Sequence, residues 1–248
     1  MCKSSIVFRH KGKTRTPLHN LRLASILSAV AGMVNVTGYL AIGQLTTNVT
    51  GHFAYFAEDL SHGNYYRAGV LLLFVLSFLT GAFVSGCLTE FFSRRNDRYR
   101  YMVPVLLEGL ILVALSLLPL LAAERWTYII ACLLLFAMGL QNALVTSVSN
   151  AIVRTTHLTG LFTDLGIELA QWSYYRQPDD RKKLRTSIKL RIVIVGCFMA
   201  GCVTGGILFS HLHMKVLLLA AMLLATALTY DTLRYQVLLL RRKYHHHR

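Results

Sequence analysis

The sequence predicts an all-α membrane protein: six transmembrane helices in two inverted three-helix repeats, each with a short broken or re-entrant helix after its first span. Three observations predict it. Six apolar runs are each long enough to cross a hydrocarbon core. The basic residues collect in alternate connections between those runs. One polar phrase is written twice, as "TTNVTGHFAYF" at Thr46–Phe56 and "TTHLTGLFTDL" at Thr155–Leu165.

The composition excludes ordinary soluble classes. Of 248 residues, 54% are hydrophobic and only 15% are charged, against roughly 25% charged in soluble domains. A net charge of +15 in a soluble chain would suggest nucleic-acid binding. Here Arg and Lys stand in blocks between long uncharged segments, with no basic stripe along one helix face. No nucleic-acid partner is expected.

The six runs are Leu23–Gly43, Val70–Thr89, Met102–Leu121, Trp126–Val145, Ile192–Phe209 and Met214–Leu233. A span needs roughly 20 helical residues for a core of about 30 Å. Helices are required because lipid cannot satisfy an open backbone. Only Glu108, Lys215 and Asp231 put charge inside these runs. The first repeat is expected over 23–121 and the second over 126–233, between a basic segment 1–22 and a basic tail 234–248.

Twenty-three of the 26 basic residues fall in the first segment, the second-to-third loop, the fourth-to-fifth connection and the tail. Only Arg67, Arg125 and Lys215 stand on the other side. The positive-inside rule then puts both termini in the cytoplasm. Membrane lipid is an expected partner, with anionic headgroups at the basic faces. The apolar stretch before "AVA" at Ala29–Ala31 is too short for a signal peptide, so the first span is expected to be retained. The five cysteines make no metal-type cluster, and the four within spans, Cys87, Cys132, Cys197 and Cys202, read as free, buried apolar residues.

The repeated phrase belongs to a longer repeat. "GMVN" at Gly32–Asn35 aligns with "GLQN" at Gly139–Asn142, at an offset of 107. The phrases align at 109. "FLTGAFVSGCL" at Phe78–Leu88 aligns with "FMAGCVTGGIL" at Phe198–Leu208 at 120. Each half therefore holds three spans. Three is odd, so the second half enters from the opposite side, as in inverted-repeat transporters.

"GMVNVTGYLAIGQLTTNVTGHFAYFAEDL" and "GLQNALVTSVSNAIVRTTHLTGLFTDLGIEL" resemble the two signature stretches of the YoaK-like family, bacterial six-helix membrane proteins of unknown function. The resemblance runs from about Leu21 to Leu233. It implies a bacterial cytoplasmic (inner) membrane protein and supplies no substrate. The family often carries an acidic residue where this chain has Asn35.

Thr and Asn in the phrase compete with helical hydrogen bonding and favour N-caps. Each half is expected to contain a helix, a break, then a shorter helix, with Thr155, Thr156 or Thr159 as cap candidates in the second half. Two readings of the breaks stand open: a pair embedded in the membrane, where exposed amides attract anions, and plain caps on surface helices.

The candidate solute-binding residues are Asn35, Thr50, Gly51, Asn142, Arg154, Thr159 and Gly160. Asn35 and Asn142 fit either interhelical hydrogen bonds or a ligand site. Gln141 points about 100° from Asn142 and should meet another partner. Arg154 could hold an anion, pair with Asp164 or mark topology. Glu108, an ionisable group inside a span, and Asp164 are candidate coupling groups. Asp164 shares a face with Glu168 four residues on, suited to a cation, a proton relay or a solvated surface. His157, which replaces Asn48 in the phrase, could couple protons or serve as a cap. Gly81, Gly86, Gly201, Gly205 and Gly206 should permit close helix packing.

No metal-spaced cluster, phosphate loop or nucleophile motif is present in the sequence. The expectation is a non-enzyme that needs no cofactor: a secondary transporter or permease of a small polar or anionic solute. A non-transporting membrane scaffold or sensor is the alternative. Homo-oligomers are compatible with either.

Overall fold

The computed structural model describes residues 17–95, 99–118, 124–149 and 153–229. The tail 234–248, most of the segment 1–22 and the ends of the third and sixth runs lie outside them.

Every described regular element is helical. α1 (Pro17–Ile42) opens on a proline, whose fixed φ suits a first helical position. It ends at Gly43, whose φ of +69° lets its amide donate back to the Tyr39 carbonyl at 2.9 Å. α2 (Val49–Ser61) is a short second helix, and α3 (Tyr65–Arg95) returns after a turn at Gly63. α4 (Met102–Leu117) ends where Leu118 becomes extended, earlier than the apolar run suggests. α5 (Glu124–Ser149) and α6 (Leu158–Tyr174) repeat the long-then-short order. α7 (Pro178–Leu212) begins well inside the expected basic loop. Pro178 at its start and Asp179 and Asp180 in its first turn are helix-start chemistry, so this connection is largely helical.

The helical stretch Pro178–Thr229 is not one rod. A 3-10 turn at His213–Lys215 separates α7 from α8, residues 216–229. His213 has φ 48° and ψ −132°, a conformation natural only to glycine. His213→Gly is therefore expected to raise unfolding stability by about 1 kcal/mol, read as a higher Tm in detergent. An unchanged or lower Tm would show that the turn is not strained.

Four stretches are long and apolar enough to cross a membrane: Leu21–Ile42, Tyr65–Arg95, Trp126–Ser149 and Pro178–Thr229. α4 is a shorter apolar helix. Buried residues make up 50% and 61% of the α1 and α5 spans but only 22% of α3, so α1 and α5 form the centre. Leu23, Leu27 and Val34 of α1 meet Leu134 and Met138 of α5, Leu112 of α4, Ile194 of α7 and Leu217 of α8 in one core. Outside it, α3 exposes Leu72, Leu76, Leu79 and Phe83, and α7 exposes Met199, Val203 and Ile207. Apolar faces of that extent are untenable in water and natural against lipid. The chain is a helical membrane protein.

Glycines mark where its helices touch. α1 packs on α7 and α3 on α5. A Cβ added at Gly32 would strike the Phe198 carbonyl, and one at Gly139 would strike the Phe78 carbonyl. Likewise Gly201 lies against the Ala29 backbone and Gly81 against that of Phe136. Gly205 is tight against Met33 and Val36. Gly86, expected to pack in the same way, has nothing within 4 Å, and Gly206 makes only ordinary contact with Val36. Both lie five residues beyond Gly81 and Gly201, about 140° round the helix from them, off the contact face.

Candidate functional site

The first phrase folds back onto the helix it has just left. Asn35 sits seven residues before the end of α1, about 10 Å along the axis. Its Oδ1 accepts from the Thr46 amide at 3.1 Å, the Thr47 amide at 3.2 Å and the Thr47 hydroxyl at 2.9 Å. Thr46 is fully buried, and its methyl lies where a side chain at Gly38 would be. The break is thus packed into protein, which answers its exposed amides from within.

α2 then starts at a side-chain cap. Asn48 Oδ1 accepts from the Gly51 amide at 3.1 Å and from the Thr50 hydroxyl at 2.9 Å. Its amide folds over Gly51, where a Cβ would stand 2.7 Å from Nδ2. The Thr-Gly pair therefore has a local cause: threonine supports the cap side chain and glycine leaves room for it.

The second phrase keeps the glycine and changes the cap. α6 starts after His157, not after Thr155, Thr156 or Thr159, and no side-chain cap hydrogen bond forms. The His157 ring lies over Gly160 as Asn48 lies over Gly51. The first turn of α6 holds no acidic residue, so its amides keep their pull on anions. Thr155 is fully buried, and the Oδ1 of Asn142 has no partner among the described residues. Thr159 stands exposed, and its carbonyl accepts from the Thr163 hydroxyl at 3.0 Å.

Behind each short helix lies a polar cleft. One, of about 360 Å³, is lined by Gln44, Tyr55, Glu58, Asp59, Arg67 and Tyr128 among others. The other, of about 470 Å³, is lined by Arg154, His157, Gly160, Asp164, Ser187 and Arg191 together with Leu161 and Leu190. Their walls use corresponding positions. Tyr55 corresponds to Asp164 at the offset of 109, and Arg67, Val70 and Leu71 correspond to Ser187, Leu190 and Arg191 at 120.

An acidic residue ties each short helix to the long one behind it. Asp59 lies 4.0 Å from Arg67 and accepts from Asn64 at 3.4 Å. At the corresponding place Glu168 accepts from the Ser187 hydroxyl at 2.6 Å and from Arg191 Nε at 2.9 Å. Arg191 also reaches Asp164 at 2.8 Å. Asp164 thus pairs with Arg191 rather than Arg154, and Glu168 is mostly buried rather than solvated. Arg154 is exposed at the cleft and makes no ion pair among the described residues. Arg191 was legible only as one of many basic residues; its link to Asp164 and Glu168 spans more than twenty positions.

Glu108 lies elsewhere, fully buried in α4, and accepts from Gln141 Nε2 at 3.0 Å. Gln141 and Asn142 do meet different surroundings. The candidate residues therefore divide between the first loop (Asn35, Thr50, Gly51), the second cleft (Arg154, Gly160, Asp164), the rim of that cleft (Thr159) and the bundle interior (Glu108, Asn142).

His52 went unnoticed in the sequence and is almost fully buried in α2. Its Nε2 donates to the Leu45 carbonyl at 2.9 Å, and its ring meets Phe74 edge-on at 5.5 Å. Nδ1 has no partner among the described residues. Burial holds the imidazole below its ordinary value, against the pull of the Leu45 carbonyl. A lowered folded value means that the unfolded chain binds the proton first. This stability is present above about pH 6.5 and is lost as pH falls below it toward the folded value. Melting is expected at lower temperature at pH 5.5 than at pH 7.5, with His52→Asn flattening part of the difference. An equal slope in the variant would remove His52 as the cause.

Neither a curated protein nor a solved structure matches the chain. One family's sequence pattern does, over residues 23–230, covering both phrases, both clefts and the glycine crossings. The chain therefore belongs to the family described as "Protein of unknown function (DUF1275)", of which YoaK is a member.

Proposed function

We propose that the chain is a secondary transporter or permease of a small polar or anionic solute in the bacterial inner membrane, built as two inverted three-helix repeats with both termini cytoplasmic. The observation that carries this reading is the pair of clefts behind α2 and α6, walled by corresponding residues of the two halves. The reciprocal glycine crossings support the same repeat. A site written once in each half is how inverted-repeat transporters present a solute to alternate sides. Arg154 and the uncapped start of α6 favour negative charge in the larger cleft, and Asp164 there and Glu108 in the interior are the candidate coupling groups. Basic residues flanking the spans favour contact with anionic lipid. No covalent chemistry is part of this reading.

The scaffold reading also has an observation in its favour. Asn35 and Asn48 already spend their acceptors on the chain's own donors. The test is a thermal-shift screen of the detergent-purified protein against small carboxylates, inorganic anions, amino acids and cations. A ligand at a hundred times its Kd adds about 2.7 kcal/mol to the folded state. A carboxylate or anion that raises Tm in the wild type but not in Arg154→Ala supports the transporter and leads to flux assays in proteoliposomes. No shift from any class, with Arg154→Ala itself melting lower, favours the scaffold.

A further inference from the structure

The interior pair Glu108–Gln141 belongs to neither cleft. Glu108 is fully buried at mid-helix in α4, and Gln141 is fully buried in α5. Gln141 Nε2 donates to Glu108 Oε1 at 3.0 Å. Glu108 Oε2 and Gln141 Oε1 have no partner among the described residues. Of these three carboxyl and amide oxygens only Glu108 Oε1 meets a donor among the described residues, in a core that includes Val105, Leu112, Leu144 and Val145.

The charged groups around it do not compensate. On α5, Tyr128 and Cys132 are nine or more residues from Gln141, at least about 13 Å along the axis. On α3, Glu90 and Arg94 pair with each other at the exposed end, and the Arg95 guanidinium lies over Phe91. Ahead of α4, Arg100 lies over the Tyr101 ring. His213 and Lys215, on the 3-10 turn packed against α4, are exposed. Described α8 holds no ionisable side chain. None of these bonds to Glu108. An ionised carboxylate left there with one neutral amide would cost several kcal/mol. A proton on Oε2 removes the charge, supplies the missing donor and leaves Oε1 to accept from Gln141.

We propose that Glu108 is a proton-binding site, a carboxylic acid held neutral between α4 and α5 and positioned by Gln141. Its occupancy does not depend on a solute being carried. Only its use as the coupling group rests on the transporter reading.

Infrared spectroscopy of the detergent-solubilised full chain tests it. The wild type at pH 7 should show a protonated-carboxyl C=O stretch that Glu108→Gln lacks. Gln141→Leu, which keeps the acid and deletes its donor, should move that band to higher frequency. This second comparison stands if Glu108→Gln fails to fold. Carboxylate bands alone at pH 7, with no difference between wild type and Glu108→Gln and no shift in Gln141→Leu, would overturn the proposal. Loss of the acid band when sodium chloride replaces a large organic cation would also overturn it, because the site would then hold a monovalent cation. A persistent acid band with no solute binding or flux would leave the proton site standing and remove the transporter.

Discussion

Gly81→Leu and Gly201→Leu are each expected to lower unfolding stability by about 3 kcal/mol or more, and by similar amounts. Overpacking a core ordinarily costs about 1–3 kcal/mol, because neighbouring side chains give way. Here the obstacle is the backbone of Phe136 or of Ala29, which moves only if the helix moves. The whole of α3 must lift from α5, or α7 from α1. Thermal unfolding in detergent, with size-exclusion profiles, reads the loss. Gly86→Leu and Gly196→Leu are the controls, since nothing lies within 4 Å of either. They should keep the wild-type Tm or gain slightly from better helix propensity. Equal losses in controls and crossings would mean that the close approach of the helices is not what holds the bundle.

Asn35→Leu should be nearly as damaging, by about 2–4 kcal/mol, because two backbone amides and a hydroxyl lose the acceptor they share in a packed loop. Asn35→Asp should be tolerated. All three donors point at Oδ1, and a carboxylate oxygen accepts them at least as well. The loop needs an acceptor at this position, and charge is optional. Asn142→Leu is the contrast. Its Oδ1 has no partner among the described residues, so the loss should stay below about 1 kcal/mol. If Asn142→Leu costs as much as Asn35→Leu, the second loop is held in a way that its described contacts do not explain.

The apolar runs were readable because lipid imposes a length and forbids charge, and the described part of each is mainly helical. Their ends were less readable. α7 extends through Arg181, Lys183 and Arg185, since charged residues are good helix formers and only lipid excludes them. The short helices after the two phrases were legible from Thr, Asn and Gly. The cap of α6 was legible only in part: His157 was offered as a cap beside the threonines, and it fills the place by its ring rather than by a hydrogen bond. The site was legible in parts. Gln141 and Asn142 were separable by helical geometry alone. The Arg191 clamp was hidden because α6 and α7 approach only after a turn, and nothing local marks one arginine among the eight basic residues of that connection. His52 was hidden because one histidine in a polar phrase looks like any other cap neighbour.

The helix pairing has a consequence for what the two halves are. α1 lies against α7 and α3 against α5, so every glycine crossing joins one half of the chain to the other. Neither half owns a core. Severed in the connection 119–123, each piece would carry a bare furrow cut to the other's backbone. The bundle is an exchange of arms, closer to a handclasp than to two domains side by side, and its stiff couples draw one helix from each half. Any rocking motion in this protein must therefore pivot between mixed couples, not between the first half and the second.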